Sequence, residues 1–202
     1  MKQLFGDTDR DVLNTKLIYA LSLSKNGDEQ SALELNKDIF SKCTETYGEN
    51  DPLTLLALNN LAYQYGRVNE LETHLKLSRE AYEKRRAVLG TEHPDTILSL
   101  SNLAYAYKKN GAYEEAIAIH REVLSIRRRL YGNDDRRTAL AIYSLAEILY
   151  TTGDYEEALG LYEELLKDYQ KLYGEDNGNT RFARRRLQEV REILRNNSIA
   201  TA

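Results

Sequence analysis

Residues 89–132 read LGTEHPDTILSLSNLAYAYKKNGAYEEAIAIHREVLSIRRRLYG, and this stretch holds one complete unit of an internal repeat. It runs from one pair of an apolar residue and a glycine, Leu89-Gly90, to the next such pair, Tyr131-Gly132. Glycines recur on the same 42-residue period along the whole chain: Gly6, Gly48, Gly90, Gly132 and Gly174. Such self-similarity is typical of a solenoid, in which each repeat buries its apolar face by stacking on its neighbours.

Two antiparallel helices are predicted within each repeat. In residues 89–132, Pro94 fits the first turn of helix A, and Asp95 or Thr96 can cap it. Apolar residues then recur at helical spacing until Asn110-Gly111, where a left-handed glycine would end helix A. Helix B follows from Tyr113 and closes at Leu130-Tyr131-Gly132.

Small residues recur where the two helices of a repeat should approach each other. When the repeats are superposed, one position of helix A holds Ala20, Ala62, Ala104 and Ala146. One position of helix B holds Ala32, His74, Ala116 and Ala158. Alanine allows close packing of helices. His74 breaks the pattern, so we expect either a small shift of its helix or a local gap that the imidazole fills.

The predicted fold is all-α, a right-handed superhelical solenoid of antiparallel helix pairs with a C-terminal capping helix. We predict one repeat domain over residues 1–202, with repeats at about 5–46, 47–88, 89–130 and 131–172, and the capping helix at about 179–195. The capping helix carries an apolar stripe of Ala183, Leu187, Val190 and Leu194, while arginines cover its other faces.

The repeat resembles the tetratricopeptide repeat superfamily, in the longer variant typified by the kinesin light chain. The motifs that carry the resemblance are HPDT at 93–96, LSNLA at 100–104, GAYEEA at 111–116 and RRRLYG at 127–132. NNLA at 59–62 and GDYEEA at 153–158 repeat parts of them one unit away. The resemblance is specific for the fold but not for a biological role, because this repeat serves many unrelated pathways.

The resemblance also implies a binding surface, because helix A of each repeat lines the concave groove in this superfamily. Carried over to this sequence, it predicts these groove residues: Asn59, Asn60, Tyr63, Leu98, Ser101, Asn102, Tyr105, Lys108, Lys109, Tyr143, Ser144, Glu147, Arg185 and Arg186, with Leu56, Leu140 and Phe182 beside them. Asparagine amides suit a peptide backbone, tyrosines give rigid contact area, and Lys or Arg can bind carboxylates. The alternative is that Asn60 and Asn102 simply bond to the backbones of neighbouring helices.

Composition argues against other classes of function. The net charge of −4 gives no general attraction to nucleic acid or to an anionic membrane, and the arginine run 184–186 lies beside acids at helical spacing. The three histidines, His74, His93 and His120, lie in different repeats and lack the spacing of zinc ligands. No nucleophile with an adjacent base is recognisable. We therefore predict no enzyme activity, no metal, no cofactor and a cytoplasmic location.

The predicted function is a non-enzymatic protein–protein interaction scaffold that binds a peptide segment or a partner helix in the concave groove, with an acidic partner favoured. Two alternatives stay open. The first is a self-assembling module or weak homodimer, because the N-terminal helix carries Leu13, Leu17, Ile18, Leu21 and Leu23. The second is the sensor or regulatory domain of a larger signalling protein.

Overall fold

A computed structural model describes residues 6–200, apart from the side chain of Ala200, so Phe5 and the other terminal residues of the predicted domain lie outside the described part. Residues 6–200 form helices and no strand. The helices are α1 (Arg10–Lys25), α2 (Glu29–Tyr47), α3 (Pro52–Arg67), α4 (Leu71–Leu89), α5 (Pro94–Lys109), α6 (Tyr113–Tyr131), α7 (Arg136–Thr152), α8 (Tyr155–Tyr173) and α9 (Gly178–Ala200). The predicted all-α class is confirmed.

The 42-residue glycine pattern marks the ends of the B helices. α2, α4, α6 and α8 end at Gly48, Gly90, Gly132 and Gly174, and φ at these four glycines lies between 78° and 86°. Their ψ values near 170° belong to a region of backbone space that is open almost only to glycine. The period is therefore a backbone requirement that recurs at every exit from helix B.

The A helices begin at a repeated side-chain cap. Asp9, Asp51, His93 and Asp135 precede α1, α3, α5 and α7, and each accepts a hydrogen bond from a backbone amide two residues further on. Pro52 and Pro94 follow two of these caps at the first helical position, which needs no amide donor. Local sequence thus sets where each A helix starts.

Two compact units divide the chain, the N-terminal unit within Met1–Gly111 and the C-terminal unit within Ala112–Ala202. In each unit consecutive helices pack against one another, and α3 also contacts α1 and α5. The helix A alanines are at most 2% exposed, as close packing requires. In the C-terminal unit α9 packs against α8 and buries Ala183, Leu187 and Val190. It extends to Ala200, beyond the predicted end near residue 195.

His74 fits its alanine position because a glycine faces it. The imidazole is buried and lies against Gly66 of α3, where a Cβ atom would come within 2.7 Å of Nδ1. The ring also packs edge-on against Tyr105, with 5.9 Å between the centroids. Burial, helped by the nearby Lys109 charge, lowers the pKa of His74 to about 4. The histidine is therefore a neutral core residue that fills a local gap.

The structure also places the single cysteine and the other side chains that could bind a metal ion. Cys43 is buried, and burial raises the pKa of its thiol to about 11, so the thiolate needed for reactivity is disfavoured. Within residues 6–200 the His, Cys, Asp and Glu side chains form no group of three that could hold a metal ion. None of the helices described above has the length and apolar character needed to cross a membrane.

Candidate functional site

Three large side chains stand exposed on α3 and α5 at predicted groove positions of the N-terminal unit. Tyr63, Leu98 and Tyr105 expose 39%, 44% and 40% of their surface. Removing each of these side chains from water would contribute about 1.5–3 kcal/mol of hydrophobic free energy. Lys109 lies next to Tyr105, with Nζ 5.8 Å from the centre of the ring. An apolar and aromatic surface with an adjacent cation is thus available to a ligand.

A polar network joins the two helices that carry these exposed residues. The buried Asn59 accepts at Oδ1 from Asn102 Nδ2 at 2.9 Å and from Ser99 Oγ at 3.2 Å, which joins α3 to α5. Ser99 in turn accepts from the buried Arg85 guanidinium, which also donates to the Asp95 carbonyl. Burial lowers the pKa of Arg85 below its usual value. The network fixes the spacing of the two A helices that carry the exposed residues.

The predicted groove residues of this unit therefore have different roles. Asn59 is buried in the network, and Asn102 is half-buried and anchored to it. Ser101 donates its hydroxyl to the Ile97 carbonyl of its own helix. Asn102 thus bonds to the Asn59 side chain of the neighbouring helix, whereas the alternative from the sequence places its bond on helix backbone.

In the C-terminal unit the corresponding region contains an aromatic cavity of about 390 Å³. Tyr143 of α7 and Phe182 of α9 meet edge to face there, with 5.7 Å between centroids. The cavity is lined by Arg136, Leu140, Tyr143, Tyr169, Tyr173, Asn179 and Phe182. Tyr169 and Tyr173 belong to helix B of their repeat, so a prediction restricted to A helices missed them.

Comparison of the two units shows which residues replace the polar network near the cavity. The polar network and its counterparts lie two periods apart: Arg85, Ser99, Asn59 and Asn102 correspond to Tyr169, Ala183, Tyr143 and Arg186. The intermediate repeat still has an arginine, Arg127, which donates to the Arg137 carbonyl. Tyr169 and Tyr143, at the positions of Arg85 and Asn59, cannot form the same hydrogen bonds in the last repeat. The change from arginine to tyrosine at residue 169 was the sequence signal for the cavity.

Glu147 and Arg186, both predicted groove residues, form a pair with each other. Arg186 donates to the two Glu147 oxygens at 3.1 and 3.0 Å, and the Tyr162 hydroxyl donates to Oε1 at 2.5 Å. Burial and the neighbouring carboxylate raise the pKa of Tyr162 above its usual value. The pair is internally neutral. Arg185, by contrast, is paired with Glu189 at 3.5 Å, but its side chain is 67% exposed and remains in solvent.

Ser144 and Lys108 complete the set. The Ser144 hydroxyl donates to the Leu140 carbonyl within α7, as Ser101 does in α5. Lys108 is half-buried at the end of α5, and Asn60 is half-buried on α3. Among the predicted groove residues, Tyr63, Leu98, Tyr105 and Lys109 are therefore exposed at the surface. Ser101 and Ser144 instead hydrogen-bond within their own helices.

A buried acid of α8, next in sequence to the cavity residue Tyr169, should make the stability of the C-terminal unit depend on pH. Asp168 precedes Tyr169, its Oδ2 has no hydrogen-bond partner in the described structure, and burial raises its pKa to about 6. Because the folded-state pKa exceeds the usual value of 3.8, ionisation of Asp168 lowers the free energy of unfolding as the pH rises from 4 through 6. We expect Asp168→Asn to stabilise the chain by roughly 2–3 kcal/mol at about pH 8 and by much less at about pH 4.

Urea unfolding of the wild type and the variant at both pH values measures this difference. The exposed Asp176→Asn serves as the control and should show no comparable dependence. Equal stabilisation by Asp168→Asn at both pH values would contradict a raised pKa.

This is a helical-repeat protein. Its capped helix pairs pack consecutively, and the A helices carry exposed aromatic and apolar side chains. Comparison with family models makes this specific, since the model described as "Tetratricopeptide repeat" matches residues 65–129, 99–171 and 137–187. The chain belongs to the tetratricopeptide repeat family. Repeats of this type typically act as protein-interaction scaffolds and are generally non-enzymatic.

Solved structures of other proteins have the same fold. One from Podosopora anserina, described as a kinesin light chain with nearly identical TPR-like repeats, superposes with a TM-score of 0.78 at 22% identity over 91% of this chain and 92% of that one. A single-substitution variant of the same protein gives 0.80, also at 22% identity, over 95% and 94%. BtubC (BKLC) from P. vanneervenii gives 0.73 at 19% identity, over 92% of this chain and 82% of that one. A search of curated protein sequences gives no match.

Proposed function

We propose that the chain is a non-enzymatic scaffold whose A helices bind a peptide segment or a partner helix. The observation that carries the proposal is the exposed group of Tyr63, Leu98 and Tyr105 on α3 and α5. The helices that carry these residues are joined by the Asn59 network, so little ordering of the protein is needed on binding. Tyrosines held on rigid helices are frequent anchors of interfaces.

Charge favours an acidic partner. Lys109 contacts the Tyr105 ring and has no ion pair among residues 6–200, so its ammonium is free to meet a carboxylate. Asn102 uses its Nδ2 in the network, which leaves Oδ1 to accept from a peptide amide. A ligand that places an apolar side chain against Leu98 and Tyr105 and an acidic one near Lys109 satisfies all of these groups.

The aromatic cavity of the C-terminal unit gives a second contact point in the same proposal. Its Tyr143 and Phe182 rings would receive an apolar side chain, and the exposed Arg136 at its edge would favour a nearby carboxylate. Peptide binding by either unit needs no cofactor and no metal. We place the protein in the cytoplasm, because Cys43 is a buried free thiol and the described fold uses no disulfide.

Loss of the exposed side chains should weaken binding selectively. Phage-displayed random peptides selected on the purified chain should be enriched in acidic and apolar residues, with micromolar affinity or about −8 kcal/mol once synthesised. Replacing Leu98 and Tyr105 together by alanine should weaken these peptides more than tenfold, or about 1.4 kcal/mol, in a calorimetric titration. Asn102 is left intact in this variant because it supports Asn59.

Tyr113→Ala is the matched control, because Tyr113 exposes 39% of its surface at the start of a B helix. This variant should bind the selected peptides as the wild type does. The proposal fails if the Leu98 and Tyr105 variant binds normally while Tyr113→Ala does not, because the binding surface would then lie on the B helices.

A further inference from the structure

An apolar face of α1 is exposed in the N-terminal unit. Ile18, Tyr19 and Leu21 expose 68%, 59% and 46% of their surface, and together with Asp11 and Lys25 they define what we term the α1 face. Ile18 and Leu21 stand at the repeat positions of Asn60 and Tyr63, so this face continues the row of groove positions, although the ligand groups proposed above lie on α3 and α5. Contiguous apolar residues with this degree of exposure generally mark an interaction surface.

At the position of Tyr19, the equivalent residues of later repeats show that the exposure is specific to α1. Tyr19 corresponds to Leu61, Leu103 and Leu145, which are only 5%, 5% and 2% exposed. The later helices are covered from two sides; for example, α3 packs against both α2 and α4. Ile18 stands where the later A helices have Asn60, Asn102 and Ser144. The α1 face is therefore apolar at a position where the repeat is otherwise polar.

The charges of α1 indicate what could cover this face. Two of its four charged residues are paired within the unit, Arg10 with Asp51 and Lys16 with Asp7. Asp11 and Lys25 form no ion pair with any described residue. They lie seven residues before and after Ile18, so all three share one face of the helix, with a drift of only about 20° per seven residues. The two unpaired charges have opposite sign and are about 21 Å apart.

We propose that the α1 face binds a second copy of the chain, with the two α1 helices antiparallel and Ile18 on the two-fold axis. In this arrangement Asp11 of each copy meets Lys25 of the other, and Ile18 packs against its own counterpart, as an isologous interface requires. Charge and shape are then both self-complementary. A contact built on one helix face falls below the roughly 1,200 Å² of stable complexes, so the dimer is weak and depends on concentration.

Sedimentation velocity over a roughly hundredfold range of protein concentration tests the dimer. The wild type should shift from monomer towards dimer, and Ile18→Asp should remain monomeric throughout. Since Ile18 is exposed, circular dichroism should show that this variant is folded. Val88→Asp, at an exposed apolar residue of α4, is the control and should dimerise normally. A wild type that stays monomeric, or a dimer that Ile18→Asp leaves intact, overturns the proposal.

Charge reversal tests the antiparallel arrangement. Asp11→Lys and Lys25→Asp should each weaken self-association about tenfold at low salt, because both ion pairs of the dimer become repulsive. An equimolar mixture of the two variants should dimerise at least as well as the wild type, since each copy then meets an opposite charge twice. The double variant D11K/K25D should also recover. Failure of both the mixture and the double variant to recover overturns the proposed pairing.

Discussion

Gly66→Ala should destabilise the protein by roughly 1–3 kcal/mol, the usual range for overpacking a core. The added Cβ would lie 2.7 Å from His74 Nδ1 and 2.8 Å from Cε1, closer than packed atoms tolerate. The imidazole cannot move aside easily, because it is buried and packs against Tyr105. Urea unfolding, followed by circular dichroism, measures the loss as a lower midpoint.

Removing the histidine should reverse the effect of the same substitution. In a His74→Ala background the position matches Ala32, Ala116 and Ala158, so a methyl group on Gly66 has room. Gly66→Ala should then be neutral or stabilising by up to about 1 kcal/mol, because alanine is the better helix former. An identical cost in both backgrounds would show that the contact with His74 is not the cause.

Deleting the chain from Asn179 onward should produce the other large effect. This deletion removes most of α9 and uncovers the face of α8 on which Ala183, Leu187 and Val190 are buried. Each fully buried Val or Leu is worth roughly 1.5–3 kcal/mol, so the C-terminal unit should lose several kcal/mol and aggregate. Size-exclusion chromatography and thermal unfolding measure both outcomes.

A shorter deletion provides the control. Removing residues 196–202 leaves the three buried contacts of α9 in place, so this variant should elute and unfold like the full chain. A monomeric protein of unchanged thermal stability after deletion from Asn179 would show that α9 does not stabilise the unit.

Helix boundaries were predictable because they depend on local backbone chemistry. Gly48 and Gly90 recur since a φ near 85° with extended ψ admits almost no other residue. Asn69 occupies a turn position that holds Gly27, Gly111 and Gly153 elsewhere, and its φ of 64° shows why a residue tolerant of that region stands there. A period carried by such positions can be read directly from the sequence.

Side-chain partners at the site were less predictable, because they depend on which helices meet. Asn59 was predicted as a groove residue, but it is buried beneath Asn102. Glu147 and Arg186 were counted as separate groove charges, yet they neutralise each other across 39 positions. His74 fits because Gly66 of α3 faces it, and the residue spacing along α4 alone does not reveal this contact.

The bonds that join neighbouring A helices have a consequence for how the chain is made. Asp51 binds Arg10, Asn59 binds Asn102, and Glu147 binds Arg186, over 41, 43 and 39 positions respectively. Loops of this length cost less entropy to close than longer ones, and each partner is synthesised soon after the other. A nascent chain can therefore dock each new helix as it emerges from the ribosome, without waiting for distant segments to be translated.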